Sequence, residues 1–261
     1  MTKEIKKYSP KYFKKDLPEW KRRKDPITSK FFYRRLSFYT ASIMTKMGFS
    51  ANDVSYLSIF LAIAASILII IPNYVCNLIG AILVNVWLIS DCTDGNMARS
   101  VKKQAFGDFA DSASSYILVA LLGLSLGLNA YFNDGFLFNH GCIWIVFLGA
   151  LASIGDTLMR LIYQKYKASE RSLADENVLK IENDKRTDIS QTNSLLVRVE
   201  SDFGIGGILP MLVLIGIVFK ITDFIVLYCF LYYFLSSVVM IIKYIFKAIR
   251  KTKEIDLGER L

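Results

Sequence analysis

The sequence predicts an all-α integral membrane protein: a six-transmembrane-helix bundle preceded by an amphipathic helix on the membrane surface. Of the 261 residues, 53% are hydrophobic, and they are concentrated in long blocks. The 37 residues between Asp53 and Asp91 contain no Asp, Glu, Lys or Arg. A helix that crosses a bilayer needs about 20 mostly apolar residues, so a soluble globular fold is excluded. Further charge-free windows lie at 112–133, 135–155, 203–219 and 224–242.

The first charge-free block is too long for one helix and is divided at Pro72 and Asn73. Proline ends helices because it lacks an amide hydrogen. The blocks also lack the alternation of apolar and polar residues that a membrane β-barrel requires, which favours a helical bundle. The predicted spans lie near 54–71, 75–97, 108–127, 141–162, 204–219 and 224–246.

The residues before the first span have a different pattern. Residues 1–27 are polar and basic, and we expect them to be only partly ordered. From Thr28, apolar side chains recur at helical spacing, which predicts an amphipathic helix in the membrane interface. These side chains are Phe32, Leu36, Tyr39, Ile43 and Met47. We therefore divide the chain into a basic segment with this helix (1–48), a six-span domain (49–248) and a tail (249–261).

The distribution of basic residues predicts the orientation. Of the 32 Lys and Arg residues, 14 lie within residues 1–46, and among the others only Lys220 falls on the opposite side of the predicted topology. Because cytoplasmic loops are enriched in Lys and Arg, both termini and a long polar loop at 168–202 are expected in the cytoplasm. The net charge of +9 is attributed to topology and to attraction to anionic membrane lipids. No nucleic-acid-binding motif is present, so no nucleic-acid partner is expected.

Four aspartates fall within 21 residues, at the end of the second predicted span and the start of the third. Asp91 and Asp94 are three residues apart and share a helix face, and so do Asp108 and Asp111. A short loop joins the two spans, so the spans must be antiparallel neighbours. The four carboxylates are therefore expected to converge at the cytoplasmic edge of the membrane.

A divalent cation would explain this clustering, because four nearby carboxylates repel one another and are costly to place in a membrane. Carboxylate oxygens suit Mg²⁺ or Mn²⁺, and Mg²⁺ commonly bridges carboxylates and substrate phosphates. Gly95, Ala98 and Gly107 are small where a bulky ligand would approach the helices, and Arg99 offers a cation to a phosphate. One alternative is that the acids are helix-end residues paired with Arg99 and neighbouring lysines. An ion pore is disfavoured because its acids would lie near the bilayer midplane.

The same segment resembles the signature of the CDP-alcohol phosphatidyltransferase family, D-x2-D-G-x2-A-R-x8-G-x3-D-x3-D. The matching positions are Asp91, Asp94, Gly95, Ala98, Arg99, Gly107 and Asp111. The resemblance implies an enzyme of phospholipid biosynthesis that transfers a substituted phosphate from a CDP-alcohol, expected to be CDP-diacylglycerol, to an alcohol acceptor with release of CMP. It implies Mg²⁺ or Mn²⁺ held by Asp91, Asp94 and Asp111, a cytoplasmic active site and a homodimer. The expected location is the plasma membrane of a bacterial cell.

The sequence departs from the signature in two places. The spacing from Arg99 to Gly107 is seven residues instead of eight, and Ser115 occupies the position of the last aspartate. In the family that aspartate is a metal ligand and the presumed general base, and a serine hydroxyl cannot act as a base at neutral pH. Asp108 lies one turn before Asp111 on the same face, so Asp108 or Asp111 is expected to serve as the base.

Two alternatives follow from these departures. Asp108 can instead be an acidic residue of the first helical turn, stabilised there by the helix dipole. The chain can also be a degenerate, non-catalytic family member that binds a nucleotide-lipid or acts as a membrane scaffold.

Two further positions are candidates for substrate binding. Asn52 resembles an asparagine that the family commonly has before the first span, near the nucleotide; it can equally be a helix-start residue. Asp156 and Arg160 are four residues apart at the cytoplasmic end of the fourth span, where Arg160 could hold the acceptor or a phosphate. A simple ion pair within the helix is the alternative interpretation.

Overall fold

The structure, a computed structural model, describes residues 6–179 and 201–258, and every regular element within these ranges is a helix. Two π-helical turns, Ser29–Tyr33 and Phe230–Phe234, lead into the third and last of the helices. The α-helices are α1 (Pro10–Lys15), α2 (Glu19–Lys24), α3 (Arg34–Lys46), α4 (Ala51–Ile70), α5 (Tyr74–Ser100), α6 (Gly107–Phe132), α7 (Ile143–Asp175), α8 (Leu209–Val218), α9 (Thr222–Cys229) and α10 (Leu235–Gly258).

The all-α membrane bundle predicted from the sequence is confirmed, but six full-length spans are not. Five helical stretches of the described residues are long and apolar enough to cross a membrane: α4, α5, α6, α7 and the continuous stretch Thr222–Asp256. The predicted span at 204–219 contains only the ten-residue helix α8. Ten residues give a helix of about 15 Å, roughly half of the hydrocarbon thickness of a bilayer.

The shortening has a local cause. Residues 204–208 form turns instead of a helix, and three of these five residues are glycines, which are poor helix formers. The segment nevertheless runs between the two ends of the bundle. Ser29 donates to the carbonyl of Gly206 at one end, while Lys220 lines a small cavity with Asn133 and Asp134 at the other.

Asparagine side chains form the tight connection between α4 and α5, as the break at Pro72 predicts. Asn73 caps α5 by accepting hydrogen bonds from the amides of Val75 and Cys76. The Asn77 amide donates to three carbonyls at the end of α4, those of Leu68, Ile69 and Ile71. These bonds are valuable in a bilayer because no water is present to satisfy the free carbonyls of a helix end.

Helices α6 and α7 approach closely at a pair of glycines. A Cβ atom added to Gly149 would lie 2.3 Å from the carbonyl oxygen of Gly123, and one added to Gly123 would lie 2.7 Å from the oxygen of Gly149. Small residues at such crossings let the backbones of membrane helices pack directly. This crossing fixes α7, which carries Asp156 and Arg160, against the helix that carries Asp111.

The N-terminal residues are more ordered than the sequence led us to expect. Residues 1–27 are predicted to be only partly ordered, and within the part that the structure describes they contain two helices, α1 and α2. Phe13 is buried against the bundle, and Tyr12 donates to the carbonyl of Ser100 at 2.8 Å. Ser42 of α3 donates to the carbonyl of Tyr8 at 2.6 Å. A few apolar side chains are enough to anchor this otherwise basic segment.

The predicted amphipathic stripe on α3 is exposed along its length. Its apolar residues are exposed, whereas the opposite face, which includes Arg34, Phe38 and Ala41, is buried against the bundle. Large apolar side chains are also exposed on the long helices, for example Phe60 and Phe147. Exposed apolar surface of this extent is typical of a protein that lies in lipid.

The predicted loop at 168–202 begins later than expected. Helix α7 continues to Asp175, so residues 168–175 are helical and not part of a loop. The buried carboxylate of Glu170 explains this extension: it accepts from Lys167 at 2.8 Å and from Lys251 of α10 at 2.5 Å. Residues 180–200 of the predicted loop lie outside the described residues.

Candidate active site

The aspartates predicted to cluster lie where α5 ends and α6 begins. Asp91 and Asp94 are in the last three turns of α5, and Asp108 and Asp111 are in the first two turns of α6. The connection between the helices ends at Phe106, whose φ of 58° is left-handed and unusual for a bulky residue. This conformation ends the connecting turn and lets α6 begin at Gly107, so that the two pairs of acids face the same region.

Asp91 and Asp111 come together within the cluster, with their carboxyl groups within hydrogen-bonding reach of each other. Asp94 is near enough to interact electrostatically with both, and Asp108 with Asp111. Two carboxylates in contact repel each other unless a proton or a cation lies between them. The structure therefore brings the predicted acids together in an arrangement that needs positive charge.

The donor chemistry fits a hard cation such as Mg²⁺ or Mn²⁺, because the carboxylates at the end of α5 and the start of α6 supply only oxygen ligands. Among the described residues, however, no three Asp, Glu, His or Cys side chains are arranged as a ligand set for one ion in their present rotamers. Metal binding therefore remains a prediction, which the contact between Asp91 and Asp111 supports.

Asp94 is held by a hydrogen bond that the sequence did not predict. The hydroxyl of Ser55 on α4 donates to Asp94 Oδ2 at 2.5 Å, and both residues are buried. Deeper in the bundle, the hydroxyls of Ser58 and Ser114 are 2.5 Å apart, and Trp87 donates to Ser114 at 2.8 Å. These contacts join α4, α5 and α6, and the bond from Ser55 orients Asp94.

Arg99 lies along its own helix above Gly95. A Cβ atom on Gly95 would be 3.2 Å from Arg99 Nη1, so a larger residue at 95 would displace the guanidinium. Arg99 also donates to Asn96 Oδ1 at 2.9 Å and remains exposed. Ala98 packs against the apolar cluster around Phe13, so its small size serves the packing of the N-terminal helices. Substrate contacts of Gly95, Ala98 and Arg99 remain predictions.

Asn52, in the first turn of α4, lies next to Gly107 at the start of α6. The Asn52 side chain donates to the carbonyl of Ala105 at 2.9 Å, and its backbone amide donates to Gln104 Oε1 at 2.9 Å. A Cβ atom on Gly107 would lie 3.3 Å from Asn52 Oδ1. Asn52 thus ties the start of α4 to the loop before α6, which is a structural role; contact with a nucleotide is a further prediction.

Arg160 is paired within its own helix. Its Nε donates to Asp156 Oδ2 at 2.5 Å, and its guanidinium lies 5.2 Å from the ring centroid of Tyr116 on α6. The structure thus contains the ion pair of the alternative interpretation. It also places Arg160 on the wall of a polar cavity that Asp91 borders, so a substrate role is still compatible with the geometry.

Ser115 and Asp108 differ in their surroundings. The Ser115 hydroxyl donates to the carbonyl of Ser112 at 3.0 Å, a bond within the helix that occupies its only proton. Asp108 is exposed in the first turn of α6. This position suits both a base that can exchange protons with water and an acid stabilised by the helix dipole.

The polar cavity beside Asp91 has a volume of about 350 Å³. Its walls come from α5, α7 and the turns at 204–206, from α2 and the residues that follow it up to the start of α3, and from the last π-helical turn and the start of α10. The sequence did not predict that the N-terminal segment lines this cavity, because its positive charge was attributed to topology and to anionic membrane lipids. The sequence carries no clear signal for this, because Asp25 is one of four acids in a segment rich in Lys and Arg.

Asp25 is buried beside this cavity in a bidentate pair with Arg34, with distances of 2.9 and 2.8 Å. Lys21 lies next to them, and burial lowers its pKa below the ordinary value. The charge of Arg34 acts in the same direction, whereas Asp25 and Asp91 oppose it. The N-terminal helices therefore place cations next to the carboxylate cluster.

The fold and the site together define an all-helical integral membrane protein whose carboxylate cluster borders a polar cavity at one end of the bundle. The sequence model of the CDP-alcohol phosphatidyltransferase family matches residues 49–249, most of the chain. The chain therefore belongs to the CDP-alcohol phosphatidyltransferase family. Membership implies transfer of a phosphatidyl group from a CDP-alcohol to an alcohol acceptor in phospholipid synthesis. Comparisons with curated proteins and with solved structures gave no match.

Proposed function

We propose that this protein transfers the phosphatidyl group of CDP-diacylglycerol to an alcohol acceptor and releases CMP. The observation that carries the proposal is the convergence of Asp91, Asp94 and Asp111 beside a polar cavity, in a chain that belongs to this family. A cluster of acids repels the diphosphate of the donor, so the site requires a cation to bind its substrate.

Asp91, Asp94 and Asp111 would hold one or two Mg²⁺ or Mn²⁺ ions. When bound, the metal would neutralise charge on the diphosphate and stabilise the CMP that leaves. Arg99 would add a fixed positive charge near the phosphates, and Gly95 and Gly107 would leave room for the donor next to the helix backbones.

The reaction exchanges one phosphorus–oxygen bond for another. The acceptor hydroxyl oxygen attacks the phosphorus that carries the diacylglycerol, and the bond from that phosphorus to the bridging oxygen of the diphosphate breaks. The hydroxyl proton passes to a carboxylate base, for which Asp108 and Asp111 are the candidates, because the Ser115 hydroxyl donates within its helix. The cavity walled by Asp91, Asp156 and Arg160 would receive the acceptor.

The arrangement in the membrane belongs to the same proposal. The excess of Lys and Arg at the end of the bundle that carries the cluster favours a cytoplasmic active site and cytoplasmic termini. The exposed apolar face of α3 would lie in the membrane interface and contact lipids. A homodimer in a bacterial plasma membrane completes the proposal.

The test is release of CMP by the purified full-length protein, supplied with CDP-diacylglycerol, Mn²⁺ and a panel of alcohol acceptors, with lipid products identified by mass spectrometry. We expect CMP and one new phospholipid, and loss of both in Asp94→Ala. Asp134→Asn, at the far end of the bundle, is the matched control and should retain full activity.

A second candidate is a degenerate member that binds a nucleotide-lipid without turnover, and Ser115 in place of the last signature aspartate is the observation that favours it. An inactive wild type together with an active Ser115→Asp variant would establish this alternative and contradict the proposed reaction.

A further inference from the structure

The wall of the cavity beside Asp91 includes a segment that lies outside the part of the chain matched by the family. Lys21, Asp25 and Arg34 border the cavity, whereas the match covers residues 49–249. The segment is anchored by buried contacts, among them Phe13 in the apolar cluster and the hydrogen bond from Tyr12 to the carbonyl of Ser100. Its position on the cavity is therefore a fixed feature of the fold.

Among the described residues, three cations border this cavity, and two of them are paired with carboxylates. The Arg34 guanidinium donates to both oxygens of Asp25 and also to the carbonyl of Cys92 at 3.3 Å. The Arg160 guanidinium donates to Asp156 at 2.5 Å. Neither arginine can bind a ligand fully without weakening a buried ion pair.

Lys21 is the exception. Among the described residues, its ammonium comes within 4 Å of a carboxylate only at Asp25 Oδ1, at 3.9 Å, and that oxygen already accepts from Arg34 at 2.8 Å. The Lys21 side chain is still 32% exposed, so its head group remains accessible from the cavity. Its charge acts on Asp91 and on Asp111, so the ammonium on the cavity wall is near enough to the carboxylate cluster to interact with it electrostatically.

We propose that Lys21 binds an anionic group of the acceptor, so that the acceptor alcohol is a phosphate-bearing one. This inference rests on the proposed function, in which the cavity receives the acceptor. A lysine ammonium binds phosphate as a point charge, and it carries three donors that can rotate toward the ligand. The acceptor hydroxyl would then lie on the Asp91 side of the cavity, where the base and the donor phosphorus are expected. A neutral alcohol would lack the group that Lys21 holds.

The test measures ligand binding, so it does not depend on turnover. Thermal unfolding of the purified full-length protein in detergent is followed with Mg²⁺ present, during titration with glycerol 3-phosphate, inorganic phosphate or glycerol. We expect both phosphates to stabilise the wild type and glycerol to have no effect. The Lys21→Gln variant should bind phosphate about 10- to 100-fold more weakly than the wild type, because it lacks a charge-assisted hydrogen bond.

Two variants serve as controls. Lys21→Arg keeps the charge and should retain most of the binding. Lys15→Gln removes an exposed cation from neighbouring α1 and should behave like the wild type. Lys21→Gln should also bind CDP-diacylglycerol as the wild type does, because Lys21 is assigned to the acceptor and not to the donor.

Three results would overturn the inference: no stabilisation of the wild type by either phosphate, equal stabilisation of the wild type and Lys21→Gln, or a loss of donor binding in Lys21→Gln. The last result would assign Lys21 to the diphosphate of the donor. A wild type that binds phosphate through Lys21 but releases no CMP supports this inference, while it contradicts the proposed reaction.

Discussion

Asp94 illustrates how single side chains prepare the site. Its carboxylate is buried on α5, and the Ser55 hydroxyl on α4 donates to one of its oxygens. Partners of this kind set the orientation of metal-binding carboxylates, and their loss typically costs about 10- to 100-fold in metal affinity or activity. Ser55 therefore acts as a positioning residue for Asp94, although it would not touch the substrate.

Ser55→Ala should raise the Mn²⁺ concentration needed for half-maximal CMP release by about tenfold, because Asp94 loses the hydrogen bond that orients it. Ser55→Thr keeps the hydroxyl and should stay near the wild type. An unchanged Mn²⁺ dependence in Ser55→Ala would contradict this role, whereas a purely structural defect would lower the melting temperature without shifting the metal dependence.

The base position gives a second prediction for single residues. If Asp108 accepts the acceptor proton, Asp108→Asn should lower turnover about 100-fold or more while donor binding stays intact, because the amide cannot take a proton. The steady-state rate of CMP release and the affinity for CDP-diacylglycerol are measured on the same preparation. Full activity of Asp108→Asn would move the assignment to Asp111.

Among the elements, the N-terminal helices are the least expected part of the site. The pair of Asp25 and Arg34 links the end of α2 to the start of α3 and to the carbonyl of Cys92 on α5. Both side chains of the pair are almost fully buried. Removing one partner of a buried ion pair is strongly destabilising, by about 3–5 kcal/mol, because the other charge is left uncompensated.

Asp25→Asn should therefore release α2 from the bundle. Trypsin should then cleave after Lys21, Arg22 or Arg23 at least tenfold faster than in the wild type, while the long helices remain protected. Glu19→Gln, which removes an exposed partner of Arg23, is the matched control. Equal cleavage rates in Asp25→Asn and the control would show that the pair does not hold this element.

Hydropathy and helix-end residues predicted most of the elements. The break at Pro72 and the amphipathic stripe on α3 both agree with the structure. The sequence could not show that α8 is short, because a hydropathy window counts apolar residues without detecting the turns at 204–208. The packing of α1 and α2 was also missed, because the few buried apolar residues there are hidden among many lysines and arginines.

The acids of the site were easier to predict from the sequence than the residues that surround them. The spacing of the aspartates along two helices was sufficient to predict that Asp91 and Asp111 lie near each other. Ser55 and Lys21 are contributed by other elements, α4 and α2, and no spacing rule connects them to Asp94 or to the cavity. Long-range packing alone determines such partners, so they are visible only in the folded chain.

In the whole molecule, polar groups are concentrated at the two ends of the helical bundle, and an apolar core lies between them. The carboxylate cluster, the polar cavity and the N-terminal cations lie at one end, and the loop that contains Asp134 lies at the other. The middle of the bundle is an apolar core around Trp87, Leu118 and Ile145. The proposed cytoplasmic active site is consistent with this arrangement, because the cluster and the cavity share one end of the bundle.

The proposed topology predicts opposite labelling of the two ends. In a background without the four native cysteines, Ser172→Cys should react with a membrane-impermeant thiol reagent only from the cytoplasmic side. Asp134→Cys should react only from the other side, because the charge asymmetry places its loop outside the cytoplasm. Labelling of both positions from the same side would rule out this topology.

The aspartate cluster is proposed to bind a CDP-alcohol through a divalent cation, and nucleotide binding tests this proposal most directly. Binding of CDP-diacylglycerol to the purified protein is measured with Mn²⁺, with EDTA, and in Asp94→Ala with Asp134→Asn as the control. We predict binding in Mn²⁺ by the wild type and the control, and loss of binding in EDTA and in Asp94→Ala. Undiminished binding in EDTA would contradict it.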